Sequence, residues 1–149
     1  MLISSKGRYA LRLMIYIAAF GREDGHKVAL REVAAGEDIS LKYLEQLVRP
    51  LMQAGYLKSV RGKGGGYVLA RPADEIRAGD ILRVAEGTTA PVACEGIDGA
   101  CYRAGLCSTV KFWQGLDDVI ERYVDGVTLA DLARVPEIKL DVDLGPLSS

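Results

Sequence analysis

Between residues 4 and 20, apolar side chains fall on almost every side of a 3.6-residue repeat. Tyr9, Leu13, Met14, Ile17 and Phe20 make one stripe, and Leu11, Ile15 and Tyr16 fill the other faces. That pattern predicts a helix capped by Ser4 or Ser5 and buried on several sides. Glycines 21 and 25 bracket a turn. Val28, Ala29 and Leu30 read as a short extended piece, and residues 30–35 as a short helix ended by Gly36. Ser40 is placed to cap a third helix, with Leu41, Leu44, Leu47 and Val48 on one face. Pro50 lies inside this pattern, which predicts a kink or a split from residues 51–54, with Gly55 as the stop.

The repeat then shortens to about two. Residues 56–60 and 67–70 read as strands joined by Arg61-Gly-Lys-Gly-Gly-Gly66, a hairpin with a glycine-rich tip ended by Pro72. Helix, helix, turn, helix and hairpin is the order of a winged helix-turn-helix, in which the helix after the turn enters the major groove. Residues 76–85 predict a fourth helix, with Ile81, Leu82 and Val84 apolar. Further on, Trp113, Leu116, Ile120 and Tyr123 recur at spacings of three, four and three, a seam able to pair with another helix. Asp117, Asp118, Glu121 and Arg122 mark its solvent side, and Gly126 its end. Thr128 is placed to cap residues 129–133. The chain contains no internal repeat. The predicted fold class is mainly α with a small β-hairpin wing: a winged helix-turn-helix domain at 1–71, a cysteine loop and long dimerisation helix at 72–135, and a loose tail at 136–149.

Composition changes little in this picture, but charge changes it. The 149 residues carry a net charge of −1. Residues 1–71 hold twelve Lys/Arg against six Asp/Glu, and residues 72–149 hold seven against fourteen. A net of +6 facing a net of −7 points to a polyanion-facing half joined to an acidic half. Lys6, Arg8 and Arg12 precede the apolar run at 13–20, superficially like a signal peptide, but the run is short and no small-residue cleavage site follows it. No stretch approaches the ~20 apolar residues that span a bilayer. The expected location is the cytoplasm, with no membrane partner, where free thiols or metal thiolates are favoured over disulfides.

Candidate chemistry sits in two places. Lys42, Tyr43 and Arg49 on the third helix, with Lys58, Arg61 and Lys63 on the hairpin, form a basic surface for double-stranded DNA. Three consecutive glycines flanked by Arg61 and Lys63 read as more than a turn needs, letting backbone approach the duplex. An arginine at such a tip suits a narrow minor groove. The tip does not match the phosphate-binding loop G-x-x-x-x-G-K-[ST], and a strand follows it. The second place is Cys94-x6-Cys101-x5-Cys107, which gathers all three cysteines within fourteen residues beside Gly96, Gly99 and Gly105. Three thiolates suit an iron–sulfur cluster with one variable ligand. A disulfide switch using two of the three stays open, and so does zinc, which wants four ligands. The only histidine is His26, far off in sequence. With no Ser/His/Asp set and no helical His pair, enzyme activity is not expected.

Four motifs together resemble a known family. They are Ser4-Ser-Lys-Gly-Arg-Tyr-Ala10, Ile39-Ser-Leu-Lys-Tyr-Leu-Glu-Gln46, Val60-Arg-Gly-Lys-Gly-Gly-Gly-Tyr67 and the cysteine triplet. They are similar to the IscR/NsrR-type bacterial winged-helix iron–sulfur transcription regulators, from about residue 1 to about residue 135. The resemblance implies a homodimeric regulator, with a repressor expected, on a pseudo-palindromic operator. A 2Fe–2S cluster is preferred over 4Fe–4S, as a redox or nitric oxide sensor. It implies Cys94, Cys101 and Cys107 as ligands, Lys42, Tyr43 and Glu45 in the recognition helix, and Arg61 in the wing. A carboxylate at Glu45 accepts from a cytosine amino group and repels phosphate, so it acts as a sequence filter. The chain departs from the pattern where the IscR type has a histidine three residues after the last cysteine. Here that residue is Val110. Other members use a carboxylate or histidine of the partner's first helix, where this chain has Arg8 and Arg12. The first cysteine gap is six residues instead of five. The fourth ligand is therefore open among Ser108, Thr109, Glu95, Asp98, solvent and a small thiol.

Overall fold

The structure is a computed structural model of the chain and describes residues 3–21, 26–92 and 105–134. Helix α1 spans Ser5–Phe20. Ser4 caps it, its hydroxyl accepting from the Lys6 amide at 3.2 Å. The all-round apolar pattern has its expected consequence: α1 is the central element, packed against four helices and a strand. These are α2 (Leu30–Glu37), α3 (Leu41–Gln53), α4 (Ala78–Glu86), α6 (Leu129–Ala133) and β2 (Gly66–Leu69). Leu13, Met14 and Ile17 from α1 join Leu44, Leu51, Ile76, Ile81 and Leu129 as the largest fully buried side chains.

The hairpin pairs β1 (Leu57–Val60) antiparallel with β2, in a register running from Leu57 opposite Leu69 to Val60 opposite Gly66. Val28 adds a third rung on the other edge of β2, exchanging both backbone hydrogen bonds with Tyr67 at 3.0 and 2.8 Å. That rung ties the wing to the start of α2.

Four details differ from the sequence pattern, each for a local reason. Helix α2 runs through Gly36 and stops at Asp38, which takes the left-handed conformation (φ 53°). Gly36 is there for proximity: a Cβ on it would lie 2.7 Å from the Tyr16 ring of α1. Helix α3 is continuous across Pro50 and is not split. The proline nitrogen leaves only the carbonyl four residues back without its donor. That residue, Gln46, is exposed to water. Ile76 stands outside the fourth helix in extended conformation, after a 3₁₀ turn at Ala73–Glu75. Its carbonyl accepts from Leu129 at 2.7 Å, and Val127 accepts from Ala78 at 2.8 Å, so residues 76–78 hold the start of α6. The glycines of the wing tip serve local geometry, Gly64 through its positive φ and Gly66 through its closeness to the Val28 carbonyl.

Helix α5 (Val110–Gly126) is unlike the rest, because none of its residues is buried. It lies on α4, where a Cβ at Gly79 would collide with the Asp125 carboxylate and lie 2.9 Å from the Val124 side chain. Arg83 donates to Asp125 across this crossing, and the pairing raises the Arg83 pKa above its ordinary value. Thr128 caps α6 as its position suggested, in a reciprocal pair with Asp131 at 3.0 Å each way. The Thr128 amide and hydroxyl hold the Asp131 carboxyl below its usual range.

Candidate nucleic-acid interface and cysteine segment

Helix α3 separates its two faces cleanly. Leu44, Leu47, Val48 and Leu51 are buried, while Lys42, Glu45, Gln46 and Arg49 are exposed. Positions i, i+3, i+4 and i+7 form one helical face. Gln46 belongs to this face and was not singled out from the sequence, although its spacing from Lys42 would have found it. Ser40 caps the helix, accepting from the Tyr43 amide at 3.2 Å. Tyr43 behaves differently from its neighbours. Its ring meets Tyr9 edge-on with centroids 5.6 Å apart, and its hydroxyl lies 3.1 Å from Ser5 Oγ. Half-buried, it fixes the start of α3 against the start of α1 while leaving an edge at the surface.

The wing tip is a β-turn closed by the Gly65 amide on the Gly62 carbonyl at 2.9 Å. Gly64 has φ 75°, as the third position of a type II turn requires. Gly65 and Gly66 face backbone: a Cβ on Gly66 would lie 2.6 Å from the Val28 carbonyl oxygen. The glycine run therefore has a conformational cause. Arg61 and Lys63 stand exposed on the tip, and Lys58 on β1. Among the described residues no carboxylate pairs with Lys42, Arg49, Arg61 or Lys63. Unpaired cations on a projecting helix and hairpin are the equipment that neutralises backbone phosphates.

Arg8 and Arg12 both lie over the Tyr9 ring, at 5.8 and 5.4 Å from its centroid. Arg12 is further committed to Glu37, with Nε 2.8 Å from Oε2 and a second bond to the Glu37 carbonyl. Arg12 thereby braces α1 against α2, Arg8 stays over a ring of its own helix, and neither guanidinium is a metal ligand.

Of the cysteine segment, Cys94 and Cys101 lie outside the described residues, as do the candidate ligands Glu95 and Asp98 and the tail at 136–149. Cys107 is half-buried just ahead of α5, with its sulfur 3.4 Å from Thr109 Oγ1. Val110, the first residue of α5, has no donor atom. Among the described residues no group of three His, Cys, Asp or Glu side chains stands close enough to hold a metal. Three thiolates are a donor set that suits an iron–sulfur cluster, and Cys107 is the member of the triplet that the structure describes.

On the other side of the segment stands Glu86, the last residue of α4. One carboxylate oxygen, Oε1, accepts from the Ser4 amide at 2.8 Å, the Ser4 hydroxyl at 2.7 Å and the Gly7 amide at 3.0 Å. A Cβ at Gly7 would come within 2.6 Å of that oxygen. The Ser4 hydroxyl, with the Gly7 and Ser4 amides and nearby Lys6, holds the Glu86 carboxyl below its ordinary range against the opposing effect of burial. Glu86 thereby fastens the entry of the cysteine segment to the start of α1, one residue from the Ser5–Tyr43 contact. No sequence rule finds this link, because its partners are 79 to 82 residues apart.

A three-helix head with a basic third helix and a basic two-stranded wing is the architecture of winged-helix DNA-binding regulators. The chain belongs to the Rrf2 family, whose family model, described as iron-dependent transcriptional regulator, matches residues 3–135. The HTH-type transcriptional regulator IscR of Erwinia tasmaniensis is 36% identical over 143 residues, covering 96% of this chain and 85% of that protein. Two solved structures share the fold. The T. potens IscR has a TM-score of 0.71 at 36% identity, covering 89% of this chain and 85% of that one. CymR, the global cysteine regulator of B. subtilis, has a TM-score of 0.69 at 39% identity, covering 89% and 96%. The family is one of DNA-binding transcriptional regulators, not enzymes. No described helix is long and apolar enough to cross a membrane.

Proposed function

We propose that the chain is a homodimeric repressor whose operator affinity is set by an iron–sulfur cluster, 2Fe–2S in preference to 4Fe–4S, held by Cys94, Cys101 and Cys107. The observation that carries the DNA side is the unpaired basic face of α3 beside the Arg61–Lys63 wing tip. Lys42, Glu45 and Gln46 meet base edges in the major groove, with Glu45 selecting cytosine amino groups. Arg49 and Lys63 meet phosphates, and Arg61 reaches a minor groove. Two copies joined along Trp113, Leu116, Ile120 and Tyr123 of α5 set two α3 helices about 34 Å apart, one turn of DNA. The division at residue 71 is then one of roles: residues 1–71 read DNA, and residues 72–135 sense and dimerise, although α4 and α6 pack on the head.

The regulatory side rests on where the cysteine segment is attached. It leaves from Glu86, which holds the start of α1, and rejoins at α5, which carries the dimer seam. A change of ligation between these anchors shifts the placement of the two heads relative to each other. The cluster, when bound, supplies a centre whose ligands respond to oxidants or nitric oxide. A second reading, a thiol-based regulator without iron, is favoured by the likeness to the B. subtilis cysteine regulator and by Val110 in place of a ligand. Iron and acid-labile sulfide in anaerobically purified protein separate the two. The cluster reading expects both, with thiolate-to-iron absorption at roughly 320–460 nm. Protein without iron, sulfide or that absorption leaves the thiol reading in place.

A further inference from the structure

Thr109 occupies the N-cap position of α5, yet its hydroxyl makes no capping bond to the helix. A threonine at this position ordinarily accepts from the amide of the second or third helical residue. Here Oγ1 instead accepts from the indole Nε1 of Trp113 at 3.2 Å and lies 3.4 Å from the Cys107 sulfur. An indole N–H can only donate, so it occupies an acceptor position on Oγ1. The one hydroxyl proton is then available to a sulfur that, as a thiolate or metal ligand, can only accept. With Cys107 as a thiolate or metal ligand, the arrangement is directional, running from indole to hydroxyl to sulfur. Trp113 also packs edge-on against Phe112, with centroids 4.8 Å apart. It opens the apolar seam that continues through Leu116 and Ile120.

We infer that Thr109 is a positioning residue that links the chemical state of Cys107 to the orientation of Trp113, and through Trp113 to the α5 seam. This rests on Cys107 being one of the sensing thiols. A thiolate or metal-bound Cys107 sulfur draws the Thr109 hydroxyl proton, whereas disulfide formation or alkylation weakens that sulfur as an acceptor. The Thr109 hydroxyl then turns away and releases the indole. The inference deepens the proposed function by naming the side chains through which the cysteine segment reaches the dimer helix. It holds for either the cluster or the thiol mechanism.

Trp113 is the chain's only tryptophan, so its fluorescence reads this link without a label. The test uses full-length protein with Cys94 and Cys101 changed to Ser, in metal-free buffer, so that Cys107 is the one thiol. Emission is recorded before and after blocking with iodoacetamide. The blocked protein is expected to shift its emission maximum and intensity. Thr109→Ser, which keeps the hydroxyl, should respond as fully. Thr109→Val, which keeps the shape without the hydroxyl, should start from the altered emission and lose most of the response, since the hydrogen bond under test is already gone. Equal responses in Thr109→Val and the parent would overturn the inference, as would a parent that gives none. Circular dichroism melts of the variants check that α5 remains folded. Neither iron nor DNA enters the measurement, so its failure is separable from failure of the sensor reading.

Discussion

The head and helix α5 are built from similar fractions of apolar residues and end in opposite states. In the head, α1 is buried on several sides, and Leu13, Met14, Leu44 and Ile81 have no exposure to solvent. Helix α5 is longer than α1 by one residue, yet none of its 17 residues is buried. Phe112 is 65% exposed at one end and Tyr123 36% at the other. Phe112, Leu116, Ile120 and Tyr123 nevertheless follow helical spacing on one stripe, and a helix gains most of its stability from packing such a stripe. One region is complete within a single chain, and under the proposed function the other is laid out for a second copy. Phe112 was not part of the seam read from the sequence. It falls on the stripe four residues before Leu116.

The largest effect expected from a single substitution lies in the head. Leu44→Ala removes a fully buried side chain shared by α3 and the core, at a cost of about 3 kcal/mol in chemical denaturation. Next comes the seam. Ile120→Asp places a charge where two copies meet and should weaken dimerisation by at least about 2 kcal/mol, roughly 30-fold. Sedimentation should then show monomers whose head retains its far-ultraviolet spectrum. If Ile120→Asp remained dimeric, the contrast between the two regions would lose its meaning. Arg61→Ala comes third. It should lower operator affinity by about 1–2 kcal/mol and reduce the salt slope by about one, while leaving the melt unchanged.

The smallest effect concerns the Glu86 staple, which ties the end of α4 to the start of α1. Glu86 is held below its ordinary pKa by Ser4 and Gly7. A carboxyl depressed on folding contributes stability above its unfolded value and loses it as pH falls through the folded value. Thermal midpoints of the parent should therefore decline as pH drops below about 4.5, the ordinary value for this group. Glu86→Gln should show a flatter acid limb, with a lower midpoint at neutral pH. Parallel acid limbs would show that the carboxylate charge carries no part of the staple.

Local chemistry was legible in the chain, and contacts between distant residues were not. The caps at Ser4, Ser40 and Thr128 are short-range hydrogen bonds, spanning two or three residues, and their spacing announces them. The hairpin announced itself through its change of period, and the buried face of α3 through its leucines. Gly36 misled because its purpose is the Tyr16 ring of another helix, and the chain reverses at Asp38 instead. Pro50 misled because the carbonyl it leaves without a donor belongs to Gln46, an exposed residue, and the helix runs on past it. The glycine run, read as room for DNA, has local causes that the sequence did not show: Gly64 supplies a positive φ and Gly66 makes room for the Val28 carbonyl. At the interface, helical periodicity exposes Lys42, Glu45 and Arg49. The bracing of Tyr43 by Ser5 and Tyr9 depends on α1 crossing α3. In the cysteine segment, the type and clustering of the thiols were plain from the sequence. The Glu86 staple and the Thr109 bridge to Trp113 required the folded chain.

Operator binding at one fixed salt concentration, by cluster-loaded protein and by the same protein stripped of iron, tests the proposed sensor most directly. A sensor built on this segment predicts affinities differing by about 5- to 150-fold, the range of ordinary coupling between two sites. The Arg61→Ala protein should bind more weakly in both states with that ratio preserved. Equal affinity of loaded and stripped protein would contradict the claim that the cysteine segment governs the DNA-reading head.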